Sequence, residues 1–336
     1  MRILVTGGAG YIGCFAIVSL QAAGHDVVVY DDGSTGHPEV VTANVIRGDI
    51  CDSYALNTCL DENRFEGIVH LAAINGVGRS MIRASRFFQV NTAASINLLD
   101  AAERHGIRYF VFASSTSVYG SPQTIPVEES HPIAPTNVYG ESKLLVERVL
   151  PWYDRAHGIR SVILRFCNAA GAALDGSMGQ DRNPPAHVLP LAIQAALGQL
   201  DRLMILGADY DTPDGTCVRD YVHVLDLALA LVRALDYLAA GGPSDVFNVG
   251  SGTGFSTREV VNTLKHLSGV DFPIEIGPHR PFDSATFVAN VSKIRDALGW
   301  EPKYSDLETI VSSAWRWHKA HPLGYKLPGR AGVNVA

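Results

Sequence analysis

The chain opens on a short apolar run, Ile3 to Thr6, that stops at Gly7-Gly8. From Tyr11 to Ala23 the apolar positions recur at helical spacing, and Gly24 closes them;. Val27 to Tyr30 is apolar and β-branched and ends in Asp31-Asp32-Gly33-Ser34. Strand, glycine-rich turn, helix and strand in immediate succession predict a βαβ unit. The alternation continues, with strands at Asn44 to Arg47, Gly67 to Leu71, Arg108 to Ala113 and Ser161 to Phe166. Between them lie helix patterns from Ser80 to His105 and from Asn137 to His157, where Pro151 is expected to kink the helix or shift its end;. Alternating strands and helices imply a parallel sheet covered on both faces.

After Phe166 the texture changes. Residues 168–187 carry Gly, Asp, Asn and Pro with little periodicity, which predicts a functional loop;. Helix patterns return at Leu189 to Ala196, Leu225 to Leu238, Thr257 to Leu267 and Leu307 to His318, with strands at Leu203 to Leu206 and Val246 to Val249. No single linker divides the chain. The expected fold is α/β: a doubly wound parallel sheet of the Rossmann type with a smaller, interleaved C-terminal α/β domain. Residues 1–166 are expected to bind a dinucleotide, with segment 218–250 returning to them. Residues 167–336 are expected mainly to hold substrate.

Composition narrows the function. Of 336 residues, 47% are hydrophobic and 18% charged, so a sizeable core is available;. A net charge of −7 argues against a general nucleic-acid binder;. No uncharged apolar stretch reaches the ~18 residues of a membrane helix, and the first apolar run is too short for a signal-peptide core. The five cysteines form no Cys-x-x-Cys pair and read as reduced thiols, so a cytoplasmic protein is expected;. The histidines lack zinc-type spacing, and no metal is expected. No G-x-S-x-G elbow is present, which removes the serine-hydrolase reading.

Gly7, Gly10 and Gly13 form G-x-x-G-x-x-G between the first strand and the first helix. Such glycines let the backbone turn tightly against a pyrophosphate, and the helix N-terminus favours its charge. Asp31 ends the second strand, where a carboxylate accepts hydrogen bonds from adenosine ribose hydroxyls and repels a 2′-phosphate. No Arg or Lys lies between residues 3 and 46, so NAD is favoured over NADP. Asp32 beside Asp31 is also expected at the cofactor, and Asp49-Ile50 after the third strand could hold an adenine edge and face.

Among the cations there are 21 Arg and only 6 Lys, and Lys143 is the only lysine in the first 264 residues. It lies four residues after Tyr139 and therefore on the same helical face. An ammonium near a phenol favours phenolate, which would make Tyr139 a usable acid or base. Ser115, in Ala113-Ser-Ser-Thr-Ser-Val-Tyr-Gly120, follows the fifth strand, and its hydroxyl can donate and accept;. In doubly wound folds ligands collect at the carboxyl ends of strands, where all these groups would sit.

Together, Gly7 to Gly13, Asp31, Gly48-Asp49-Ile50, Ser114-Ser115, Tyr139-x-x-x-Lys143 and Val218 to Val224 resemble the extended short-chain dehydrogenase/reductase family. Phe166-Cys167-Asn168 with Gly171 to Asp181, and Gly207 to Gly215, resemble its NAD-dependent UDP-glucose 4-epimerase branch. The resemblance covers about residues 1–325;. It implies bound NAD and C4 epimerisation of a UDP-linked hexose through a transient 4-keto sugar. It assigns Tyr139 as acid and base, Ser115 as hydrogen-bonding partner of the same oxygen, and Lys143 as the holder of the nicotinamide ribose. It places Tyr11, Ile12, Leu71, Ala72, Ala73, Asn75, Asn91, Ser114 and Cys167 beside the cofactor. Ser117, Asn168, His187, Val188, Leu206, Arg219, Arg280, Asp283 and Phe287 fall around the nucleotide sugar. The helices Ser80 to His105 and Asn137 to His157 match those that pair in a family homodimer.

Five positions depart from the family pattern. Asn75 stands where a lysine usually contacts the cofactor, Leu206 where an aromatic packs on uracil, and His187 where an Asn lies near the substrate. Phe282 replaces the Gly of Arg-x-Gly-Asp. Phe287 is bulky at a position beside the sugar 2-substituent, so N-acetylhexosamines are expected to be disfavoured. These changes lie on the substrate side and are compatible with another nucleotide sugar. A dehydratase or decarboxylase would carry an Asp or Glu after the catalytic hydroxyl, whereas here Ser115 is followed by Thr116-Ser117-Val118. A non-catalytic NAD-binding protein and a simple alcohol dehydrogenase are the remaining rivals.

Overall fold

The structure, a computed structural model, describes residues 1–182, 184–279 and 283–325. The chain begins β1 (Arg2–Thr6), α1 (Tyr11–Ala22), β2 (Asp26–Asp31), β3 (Asn44–Arg47), α2 (Ser53–Asn63) and β4 (Gly67–His70). It continues through α3 (Val77–Ile82), α4 (Ala84–Phe87), a π-helical turn (Phe88–Ala93) and α5 (Ala94–Arg104) to β5 (Tyr109–Ser115), α6 (Val138–His157) and β6 (Arg160–Phe166). Then come β7 (Asn168–Ala170), α7 (Val188–Ala196), β8 (Leu203–Leu206), β9 (Val218–His223), α8 (Val224–Ala239) and β10 (Asp245–Val249). The last elements are β11 (Gly254–Ser256), α9 (Thr257–Ser268), β12 (Ile274–Gly277), β13 (Thr286–Phe287), α10 (Ser292–Leu298) and α11 (Leu307–Ala320).

Among the described residues the main sheet has seven parallel strands in the order β10-β6-β5-β4-β1-β2-β3. Both of its faces are apolar, as the continuous runs require. Ile3 and Val5 of β1 face one core with Ile17 and Leu20 of α1 and Leu227 and Leu231 of α8. Leu4 faces the other, with Leu56 of α2, Leu98 of α5 and Val146 and Leu150 of α6. The strand order reverses between β1 and β4, which opens a crevice at their carboxyl ends;.

Segment 218–250 divides between sheets. β10 completes the main sheet, while β9 joins β11, β13 and β7 in a small one. A separate core gathers Leu189 and Ile193 of α7, Leu203 of β8, Val260 and Leu264 of α9 and Ile310 of α11.

Two helix expectations change. Ser80 to His105 is not one helix: Arg83 leaves helical geometry (φ −125°, ψ 45°), and the π-helical turn follows. Pro151 does not end α6, which runs through it to a left-handed Gly158 cap.

Candidate active site

The cofactor end is built around the turn after β1. Gly7 has φ +73°, and a Cβ there would lie 2.5 Å from the Ala72 nitrogen. A Cβ on Gly13 would lie 2.5 Å from the Gly7 carbonyl oxygen. No side chain therefore fits at either position without moving backbone. Gly10 caps α1 without a side-chain hydrogen bond, and no acidic residue stands in the first turn. The helix N-terminus keeps its positive end for a ligand. Tyr11 donates its hydroxyl to the Gly171 carbonyl (2.6 Å), tying the turn to the loop after β7, while Ile12 packs on the core.

Asp31 bridges this turn. Its carboxylate accepts the Ala9 N–H at 2.9 Å and the Gly33 N–H at 2.8 Å, and burial pushes its pKa up. Each oxygen retains a lone pair for a ribose hydroxyl. Asp32 is occupied with Ser34 N–H and Oγ–H (2.8 and 2.7 Å), and Asp49 with Cys51 N–H (2.8 Å). Ile50 is buried in the core. A glycine cradle without room for a Cβ, a free helix N-terminus and a ribose-facing carboxylate fit a dinucleotide.

The loop from Leu71 to Asn75 follows β4 across the crevice. Asn91, in the π-helical turn, pins it: the buried amide accepts Ile74 N–H (2.9 Å) and donates to Ile74 carbonyl (3.0 Å) and Ser142 Oγ (3.1 Å). Asn91 thus acts on this wall through Ile74. Leu71 and Ala72 pack against the two cores, Ala73 is half-buried, and Asn75 is exposed.

Tyr139 begins one face of α6, which continues through Lys143 and Glu147. Asn137 caps the helix by accepting the Gly140 N–H at 2.9 Å. Burial raises the Tyr139 pKa, while interaction with the Ser115 side chain and the charge of Arg182 oppose the rise. Ser115 accepts Ser117 N–H and donates to Ser117 Oγ, both at 3.2 Å. Lys143 is buried, donates to the Ala113 carbonyl at 2.8 Å and lies 4.9 Å over the Phe112 ring. Burial lowers its pKa to about 8 against the pull of Glu147. Arg182 is thus a second cation acting on the phenol, beside the Lys143 that shares the helical face of Tyr139. Lys143 also acts on His70, which burial and that charge lower to about 3. Sequence reasoning missed Arg182; the available signal was its place as the lone cation of the loop 168–187.

Ser114 turns to the architecture behind. Its hydroxyl donates to Glu147 at 2.5 Å, and Arg165 closes the pair through Nη2 at 2.6 Å. Cys167 is buried, and burial with the Asp220 carboxylate pushes its thiol up. Asp220 itself accepts backbone N–H groups of Ser251, Gly252 and Ala289 and so ties three segments together.

On the substrate side, Asn168 and His187 line one small pocket with Gln180, Tyr221 and His318. Val188 starts α7, Leu206 ends β8, and Ser117 is half-buried beside Ser115. Arg219 and Asp283 meet in an ion pair (3.2 Å), with Arg219 also donating to the Val218 carbonyl at 2.8 Å. Arg280 and Phe282 lie outside the described residues. Phe287 lies on β13, which pairs with β9, and its buried ring packs 6.0 Å from that of Tyr119.

With this geometry in hand, sequence comparison is decisive: the profile of the NAD dependent epimerase/dehydratase family matches residues 3–250. The chain belongs to that family. It is 46% identical over 327 residues to the UDP-glucose 4-epimerase of Lacticaseibacillus casei, covering 97% of this chain and 99% of the relative. It is also similar to the crystal structure of UDP-glucose 4-epimerase from Brucella ovis in complex with NAD (TM-score 0.91, 38% identity, 94% and 98% coverage). A third likeness is to the UDP-glucose 4-epimerase of Bifidobacterium longum in complex with NAD+ and UDP (TM-score 0.92, 32% identity, 97% and 100% coverage). NAD is the cofactor that family, neighbours and cradle agree on.

Proposed function

We propose that this chain is an isomerase that interconverts UDP-glucose and UDP-galactose at C4. The observation that carries the reading is the Gly7–Gly13 cradle, without room for a Cβ and bridged by Asp31; Ser115 at the end of β5 and Tyr139 at the start of α6 support it. Relatives that share nearly the full length of the chain carry the same activity in their names. NAD, when bound, supplies a reversible hydride acceptor for the C4 hydrogen. Tyr139, as phenolate, takes the 4-hydroxyl proton and returns it after the sugar has presented its other face. Ser115 donates a hydrogen bond to the same oxygen and favours the ionised phenol. Lys143, seated on the Ala113 carbonyl, orients the ribose side of the site. Asn168 and His187 hold the sugar nucleotide, and Arg219 with Asp283 flank its diphosphate; a guanidinium fork suits those oxygens.

The division into a cofactor-binding part (1–166 with the return of β10) and a mainly substrate-binding part (167–336) belongs to the same proposal. So do a cytoplasmic location and a homodimer through α5 and α6, which leaves Trp152 66% exposed on one chain. Purified protein should interconvert the two sugars without added reductant. Retained NAD with both sugars untouched would sink the assignment, and a monomer by light scattering would sink the dimer.

A further inference from the structure

Two arginines with no carboxylate partner among the described residues, Arg79 and Arg182, converge over Gly76 in the loop after β4. Arg182 donates to the Asn75 carbonyl at 3.5 Å. A Cβ on Gly76 would lie 3.7 Å from Cδ of Arg79 and 3.8 Å from Nη2 of Arg182, so both side chains reach over that glycine. Arg182 is half-buried and electrostatically coupled to Tyr139; burial and the like charge of Arg79 both weaken its hold on its proton. Neither guanidinium is paired with a carboxylate among the described residues, and residues 183, 280–282 and 326–336 contain no Asp or Glu. Arg165 and Arg219, by contrast, each meet a carboxylate. Like charges held together beside a crevice raise the energy of the free protein, and an entering anion relieves it.

We propose that Arg79 and Arg182 form a carboxylate subsite for the sugar, so that the chain also epimerises nucleotide-linked hexuronic acids, whose C6 is a carboxylate. The inference rests on the 4-epimerase reading and extends its substrate class. Position selects this anion. Tyr139 takes the proton of the 4-hydroxyl, and C6 hangs from C5, the neighbour of C4. The diphosphate is attached at C1, across the ring from C4, and the cofactor's pyrophosphate belongs to the Gly7–Gly13 turn. A carboxylate in place of the C6 hydroxymethyl would meet two guanidiniums, the pairing with the best matched geometry for Arg. The reaction balances as for the neutral hexose. The C4 hydrogen leaves and returns as hydride with NAD as acceptor and donor. The 4-hydroxyl proton passes to Tyr139 and back, and the C6 carboxylate is unchanged.

The NAD-loaded protein should be given UDP-glucose and UDP-glucuronate separately, with products resolved by chromatography and mass. UDP-glucuronate should yield an epimer of unchanged mass, with kcat/KM at least comparable to that for UDP-glucose. Arg182→Gln should lower the glucuronate-to-glucose ratio of kcat/KM at least tenfold, and Arg182→Lys should restore part of it. The exposed Arg79→Gln should lower the same ratio and cannot do so by unfolding the core. A purely structural role for either arginine would move both substrates together. Turnover of UDP-glucose with UDP-glucuronate untouched, loss of carbon dioxide, or an unmoved ratio would overturn the subsite while the epimerase reading stands. Failure on both sugars would overturn the epimerase reading and the subsite with it.

Discussion

At the Glu147 end of the α6 face, Arg165 meets the carboxylate through Nη2 at 2.6 Å and Nε at 3.1 and 3.2 Å, and Nη1 reaches the Tyr119 hydroxyl at 2.8 Å. Ser114 adds its hydroxyl to the same carboxylate. At the Tyr139 end, two turns earlier on the same face, Ser115 and Arg182 act on the phenol, and Arg182 has no carboxylate partner among the described residues. Each end thus has a serine from the close of β5 and an arginine from another element. The Glu147 end is closed on itself: its buried charges are paired with each other, and Ser114 and Tyr119 are bonded to the same pair. The Tyr139 end is incomplete, with a buried phenol whose ionisation needs help and a cation without a counter-ion among the described residues. In one helical stripe, closure marks what holds the fold and incompleteness marks where chemistry takes place.

Mutations can break this contrast, and the largest effect should fall on the phenol. Tyr139→Phe should lower kcat by about 10⁴-fold, the upper range for a general acid–base group, with the melting temperature held. An unchanged rate would remove Tyr139 from the chemistry. Next, Glu147→Gln should destabilise the fold by about 3–5 kcal/mol in denaturant melts, because Arg165 is left buried and unpaired. A stability within experimental error of the parent would show that this end is not architecture.

Ser115→Ala sharpens the comparison at the other end. Its hydroxyl favours phenolate, so its loss leaves the Tyr139 pKa higher still. The rising limb of the kcat/KM–pH profile should move to higher pH, with turnover at neutral pH down about 10–100-fold. A limb that stays in place would contradict the Ser115–Tyr139 link. Ser114→Ala, one residue away, should do the reverse: about 1 kcal/mol of stability lost and turnover within about twofold. A pH shift in this variant would mean that the two ends are not separable.

The first βαβ unit was readable almost to the residue, because Ile3, Val5, Ile17 and Leu20 alternate at strand and helix periods that report directly on burial;. The break at Arg83 was not. A π-helical turn slips one residue into the hydrogen-bond ladder without disturbing the apolar count, and its purpose shows only when Asn91 is seen holding Ile74;. Strands β7, β11 and β13 have three, three and two residues, too short for any period. That is why the burial of Phe287, carried by β13, could not be read from a period.

Sequence alone determined the sheet, the cofactor turn and the placing of Tyr139 and Lys143 on one face of α6, since each is encoded within a few consecutive residues by spacing and side-chain type. Only the tertiary structure decided which charge faces which. The order of elements does not say that Lys143 settles on Ala113, that Glu147 is consumed by Arg165, or that Arg79 and Arg182 converge over Gly76. Electrostatic partnership depends on distance and burial, and those are set by segments far apart in the chain.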